Sequence, residues 1–186
     1  MKILEKTLTN LISESGADAA VAMQTLDGND ELFINAETVF HAASTMKVAV
    51  MLELFRQVEQ GKMQLTDRIP THNEFTSIID GSIFHQVQEY DTEAELYAAV
   101  EMSLYDLCHL MITISSNLVT NLIMRHVGRD NIQTTLTRAG IGGMTIIRYL
   151  EDPLAFERGI NNDTDAKSLL NLLMSIAQHR ILTPAS

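Results

Sequence analysis

The 186-residue chain holds a single cysteine. Cys108 therefore cannot form an intramolecular disulfide, and CxxC metal or redox chemistry is excluded. Its neighbours Leu107, Leu110 and Met111 are apolar, which makes it a core thiol rather than a reactive one. Positive charge is scarce as well: 13 Lys and Arg against 24 Asp and Glu leave a net charge of −11. Phosphate backbones call for a basic surface, so a nucleic-acid partner is excluded, and the acidic balance serves solubility. Long apolar runs are missing too. No stretch approaches the roughly 20 apolar residues of a membrane span, and Met1-Lys2-Ile3-Leu4-Glu5-Lys6-Thr7-Leu8 lacks the unbroken apolar segment of a signal peptide. The reading is a cytoplasmic protein, with an exported mature form as the alternative. The six histidines (His41, His72, His85, His109, His126 and His179) show neither H-E-x-x-H nor any paired spacing, and no Gly-rich phosphate loop occurs, so neither a metal nor another cofactor is expected.

What is present is enough for one substantial core, with 46% apolar residues and most of the methionines set within apolar helical runs, where they pack the interior. The periodicity of Ile3, Leu4, Leu8, Leu11 and Ile12 before Gly16 predicts a first helix over 2–15. Residues 19–25 and 31–35 read as two strands around Leu26-Asp27-Gly28-Asn29-Asp30, where Asp-Gly marks a hairpin. Loops and turns are expected after Gly61, with a short helix over 91–100. Ser103 to Asp106 offers a capping-box variant before a helix over 104–114. A turn at 115–117 then leads into a helix ended by Gly128, and Asp130 caps the next one. Residues 147–162 read as a long loop in which Asn161 and Asn162 form turns, and Asp163 or Thr164 caps a last helix.

The most informative stretch is Phe40-His41-Ala42-Ala43-Ser44-Thr45-Met46-Lys47-Val48-Ala49-Val50-Met51-Leu52. It opens a helix over 44–60 that is apolar on most sides from Met46 to Val58, as a central helix is, with no polar face until Glu53, Arg56, Gln57 and Glu59. Ser44 stands at the N-cap or in the first turn, and Gly61 is the stop. Ser44 and Lys47 are three residues apart, hence on one face and within hydrogen-bonding reach. A serine becomes a nucleophile when a base takes its proton, and a lysine serves when burial and the positive helix end destabilise its ammonium. The helix start also offers the Ser44 N–H to an oxyanion. The alternative is a capping serine beside a snorkelling lysine.

A second motif follows in Leu110-Met111-Ile112-Thr113-Ile114-Ser115-Ser116-Asn117-Leu118-Val119. With Ser44/Lys47 as S-x-x-K and Ser115/Asn117 as S-x-N, Ser116 replacing the more usual Asp, the chain resembles the serine β-lactamase and penicillin-binding protein superfamily in its class A β-lactamase-like branch. The resemblance runs from about Ala17 to the end. It implies an α/β fold of β-lactamase/transpeptidase type, with a helical lobe over 62–180 packed on a small antiparallel-sheet lobe, residues 1–61 supplying the N-terminal helix, hairpin and nucleophile helix of one catalytic domain, 1–186. The family's third signature, K-T-G, does not occur after Asn117. The sheet lobe is therefore expected to be incomplete, its hairpin showing an uncovered edge and face.

By this resemblance Ser44, Lys47 and Ser115 are the catalytic nucleophile, base and proton relay, and Asn117 binds the substrate's amide side chain. The implied substrate is a small-molecule β-lactam or a related peptide, amide or ester. Glu151 in Glu151-Asp152-Pro153-Leu154-Ala155 stands where class A enzymes keep the E-x-x-L-N glutamate that primes the deacylating water, with Ala155 in place of Asn. Glu151 is a deacylation base or a solvated loop acid. A hydrolase is one reading, a penicillin-recognising protein that stays acylated the second, and an inactive piece lacking the K-T-G strand the third. Without that strand's oxyanion donor and substrate anchor, residues 1–186 alone are expected to turn over little. Oligomeric state is left open.

Overall fold

The computed structural model describes residues 2–87 and 101–184, and the helix predicted over 91–100 lies outside them. Helix α2 (Lys47–Glu59) runs through the centre. Ala49, Val50, Leu52 and Leu54 on it are buried, and it packs against α3 (Leu104–Thr113), α4 (Asn117–Val127) and α5 (Arg129–Arg138). Helices α3 and α4 start and stop as the sequence predicts. The Ser103 hydroxyl accepts from Asp106 N–H at 3.1 Å, Ser116 Oγ accepts from Val119 N–H at 3.3 Å, and Gly128, at φ 85°, ends α4 in a conformation that favours glycine. Asp130 is not the cap of α5. Gly128 occupies that position, and Asp130 sits in the first turn, where its charge suits the helix dipole.

Of the polar residues of α2, Glu53 and Gln57 do not face solvent. Glu53 is fully buried, with Gln57 buried beside it, because the two close a hydrogen-bonded cluster. Arg56 donates from Nε and Nη2 to Glu53 at 2.7 Å each. Thr135 of α5 donates to Glu53 Oε2 at 2.6 Å, and Gln57 bridges Glu53 Oε1 (2.6 Å) to the Val127 carbonyl (2.8 Å). Burial raises the Glu53 carboxyl, but the bonds from Arg56, Thr135 and Gln57 outweigh it and hold the group below its ordinary value. Removing one member of a buried ion pair costs about 3–5 kcal/mol. Glu53→Ala is therefore expected to lower the free energy of unfolding by that amount, read as a lower urea midpoint, and an unchanged midpoint would exclude the cluster as a stabilising element. The folded carboxyl is lower than the unfolded one, so the contribution is in place above the ordinary value of 4.5. It fades as pH falls further, and the gap between wild type and Glu53→Ala should narrow with it.

Helix α1 (Lys2–Ser15) precedes an antiparallel hairpin of β1 (Val21–Gln24) and β2 (Glu31–Ile34). Helix α7 (Ala166–Ala177) covers β1, and α1 touches β2. One hairpin face is therefore packed, with Leu32 buried, while Phe33 on the other is 39% exposed. The expectation of an uncovered face thus holds for one side only.

Three short pairings were not legible as strands. β4 (Arg68–Pro70) pairs with the distant β7 (Glu101–Ser103), and β5 (Phe75–Thr76) with the nearby β6 (Ile83–Phe84), in what read as loops and turns. The third pairing joins β3 (Phe40–His41) to β8 (Asp163–Thr164). Asp163 and Thr164 are thus strand residues and not helix caps. Asp165 caps α7 instead, accepting from Ser168 N–H at 2.6 Å.

Candidate active site

Strand β3 delivers the chain into a 3₁₀ turn, Ala43–Met46, directly ahead of α2. Ser44 therefore lies in that turn, with Ala42 at its N-cap position. Its Oγ accepts from Ser115 Oγ at 2.9 Å. Lys47, one turn on and only 2% exposed, donates from Nζ to Ser115 Oγ at 2.8 Å, to the Ser115 carbonyl, and to Asn117 Oδ1 at 3.0 Å. Asn117 Nδ2 in turn donates to Glu151 Oε1 at 2.8 Å. The five residues singled out in the sequence form one connected hydrogen-bond network. Ser115 stands between Lys47 and Ser44, and a hydroxyl that both donates and accepts can pass a proton between them.

Ser44, Asn117 and Glu151 open onto a cleft of about 560 Å³. Among the described residues, His41, Ala43, His85, Val87, Arg148, Leu150, Asp152, Pro153 and Phe156 also line it. Three residues around the network have left-handed backbone without being glycine: Ala43 at φ 45°, Ser115 at φ 61° and Glu151 at φ 61°. Such residues persist only where their surroundings hold them.

For Glu151 those surroundings are clear. On its N-terminal side Asn121 of α4 clamps Leu150, accepting its N–H at 2.8 Å and donating to its carbonyl at 3.0 Å. On its C-terminal side Asp152, with no exposure, accepts from Ser77 Oγ at 2.9 Å, Ile78 N–H at 3.0 Å and Ala155 N–H at 3.1 Å. That last bond caps α6 (Pro153–Glu157), a short helix inside what read as a long loop. Asp152 at the cap and Pro153 at the first helical position are a local start signal that was available in the sequence. Ala155, in the place of the family's asparagine, is buried on α6.

Asn162, read as a turn former, is a buried brace. Its Oδ1 accepts from Ile147 N–H (2.9 Å) and Arg148 N–H (3.0 Å), and its Nδ2 donates to the Arg148 carbonyl (3.0 Å). Its own carbonyl accepts Ala42 N–H at 2.8 Å, so the loop carrying Glu151 is tied to the turn carrying Ser44. Asn161 Oδ1 accepts from Arg148 Nη2 at 3.2 Å. Arg148 is 5% exposed. Burial draws its guanidinium below the ordinary value, against the charges of Asp152 and Asp163. Cys108, distant from this network in the packed interface of α2 and α3, is the core thiol expected, its titration pushed up to about 11 by burial.

The fold superposes on a β-lactamase from Sphaerobacter thermophilus with a TM-score of 0.74 at 22% identity, over 94% of this chain and 61% of that one. It superposes on PBP-A with a TM-score of 0.79 at 23% identity, over 100% of this chain and 65% of that one. An ancestral class A β-lactamase gives a TM-score of 0.77 at 22% identity, over 98% of this chain and 66% of that one. The chain thus spans 61 to 66% of the length of these structures, and the likeness is one of fold. Curated proteins include no match. The model of the beta-lactamase enzyme family matches residues 3–186. That match takes in the central helix, the Ser44 turn, the Ser115 turn and the Glu151 loop together, and the chain belongs to the beta-lactamase enzyme family.

Proposed function

We propose that Ser44 is the nucleophile of a serine hydrolase that forms an acyl-enzyme with a β-lactam or a related amide or ester. The observation that carries the reading is the run of hydrogen bonds from Lys47 through Ser115 to Ser44, at 2.8 and 2.9 Å. Ser44 Oγ attacks the carbonyl carbon as its proton leaves toward Ser115 and Lys47. Collapse of the tetrahedral intermediate breaks the C–N bond of the lactam or amide, and the same hydroxyl returns the proton to the nitrogen. Asn117, fixed between Lys47 and Glu151, is placed to bond the substrate's amide. Glu151, on its clamped loop, then draws a proton from water for deacylation. Support for the substrate class comes from PBP-A, a mutant of which has been solved as an acyl-enzyme complex with penicillin-G.

Ala155 favours a second reading, in which acylation outruns hydrolysis. A methyl group offers no hydrogen bond to a water, so the acyl-enzyme would be long-lived and the protein would recognise β-lactams more than destroy them. One experiment tests the acylation step common to both. The protein is incubated with a penicillin, digested and sequenced by tandem mass spectrometry. A single adduct is expected, on Ser44. An adduct on any other residue, with Ser44 unmodified, would overturn the assignment. The lifetime of that adduct then divides hydrolase from binding protein.

A further inference from the structure

We infer that His41, through its neutral imidazole, is a positioning residue that makes the Ser44 turn responsive to pH, an inference that rests on the reading of Ser44 as the nucleophile. His41 ends β3, and its Nδ1 accepts the N–H of Ala43 at 3.0 Å. Ala43 is the residue bonded to Ser44, and its φ of 45° is one that a side chain with Cβ avoids. The turn is held in that form by Ala42 N–H on the Asn162 carbonyl at 2.8 Å, by Thr45 N–H on the Ala42 carbonyl at 3.1 Å, and by the imidazole. The first two bonds involve backbone acceptors that do not titrate. The third exists only while Nδ1 carries a lone pair. When the ring takes its second proton, Nδ1 becomes a donor and faces another N–H.

Among the described residues, the charged and titratable groups that share the cleft with His41 are His85, Arg148, Glu151 and Asp152, and Asp163 is its cross-strand partner. Lys47 is the one on its own segment. Their balance sets the pH at which the proton arrives. The consequence of its arrival is fixed by the bond: Ala43 N–H loses its acceptor, the left-handed turn loses a hold, and the Ser44 N–H and Oγ move off the geometry that the reaction needs.

The test follows acylation between about pH 8 and about pH 5, the span over which histidines change charge, in wild type, His41→Asn and His41→Ala. An asparagine Oδ1 reaches the place of Nδ1, accepts an N–H two residues on as in an Asx-turn, and does not titrate there. Wild type is expected to lose acylation rate on the acid side by roughly 10-fold or more beyond any loss it shares with His41→Asn, the scale of a small misplacement of a reacting group. His41→Asn should keep near-wild-type rates at neutral pH, and His41→Ala should be slow throughout. A second readout needs no turnover. The Ala43 amide resonance should move with the His41 titration in wild type and stay still in His41→Asn. Superposable pH profiles for wild type and His41→Asn, or a wild-type rate in His41→Ala, would overturn the inference. Should wild type itself fail to acylate, as the reading of an inactive piece without the K-T-G strand expects, the amide titration alone decides: an Ala43 resonance indifferent to the ring's protonation overturns the positioning role.

Discussion

In a chain that also carries the K-T-G strand, Lys47→Ala is expected to slow acylation of Ser44 by about 10²-fold or more, the scale of a lost general base, and Ser115→Ala to slow it by a similar factor. The hydrogen-bond run predicts more than two separate losses. Ser115 Oγ lies 2.8 Å from Lys47 Nζ and 2.9 Å from Ser44 Oγ, so the base reaches the nucleophile through the hydroxyl. Cutting the run at either residue disables the same proton path, and a second cut has little left to remove. Groups that act as a unit are grossly non-additive. The double variant should accordingly acylate at close to the rate of the slower single variant, and not at the product of the two penalties. Rates of adduct formation by stopped-flow or quenched mass spectrometry give the comparison. Near-wild-type acylation in Lys47→Ala would return that residue to a buried brace for the Ser115 turn. Fully multiplicative effects would mean that Lys47 and Ser115 act at different steps.

The residues of this proton path were legible because each motif is local. Ser44 and Lys47 share a turn, and Ser115 and Asn117 follow a helix end marked by the apolar run and the next cap. Their convergence across 68 to 71 residues was not in any local pattern and entered only through family resemblance. What the chain hid is tertiary in kind. Phe40–His41 is too short to show an alternation, and its partner Asp163–Thr164 lies more than a hundred residues on. Glu53 read only as one of the polar residues of a central helix, and the approach of Thr135 and Gln57 is what makes its burial tolerable. Ala43, Ser115 and Glu151 gave no sign of left-handed backbone, since the usual sign is a glycine. Asp152-Pro153 is different, a readable helix start set inside a stretch whose lack of period suggested loop.

Glu151→Gln should leave acylation within a few-fold of wild type and slow deacylation by roughly 10²- to 10⁴-fold, the range of a general base lost at one step. The substitution keeps what Glu151 does structurally. A glutamine Oε1 still accepts from Asn117 Nδ2, now 2.8 Å from the carboxylate, and the loop does not depend on the carboxylate for its path. Asn121 holds Leu150 on one side, and Asp152, anchored on Ser77 and Ile78, holds the other. The backbone at Glu151 thus stays at its unusual φ of 61° whether the side chain is acid or amide. What glutamine cannot do is take a proton from water. The two half-reactions separate in a single record, with a burst equal to the enzyme concentration giving acylation and the slow phase giving deacylation. Intact mass then shows the adduct on Ser44 persisting in Glu151→Gln after wild type has shed it. Because Ala155 supplies no amide to the water, wild type should itself show a burst, its slow phase already limited by hydrolysis. An unchanged slow phase in Glu151→Gln would make Glu151 a holder of Asn117 and send the search for the deacylating base elsewhere in the cleft.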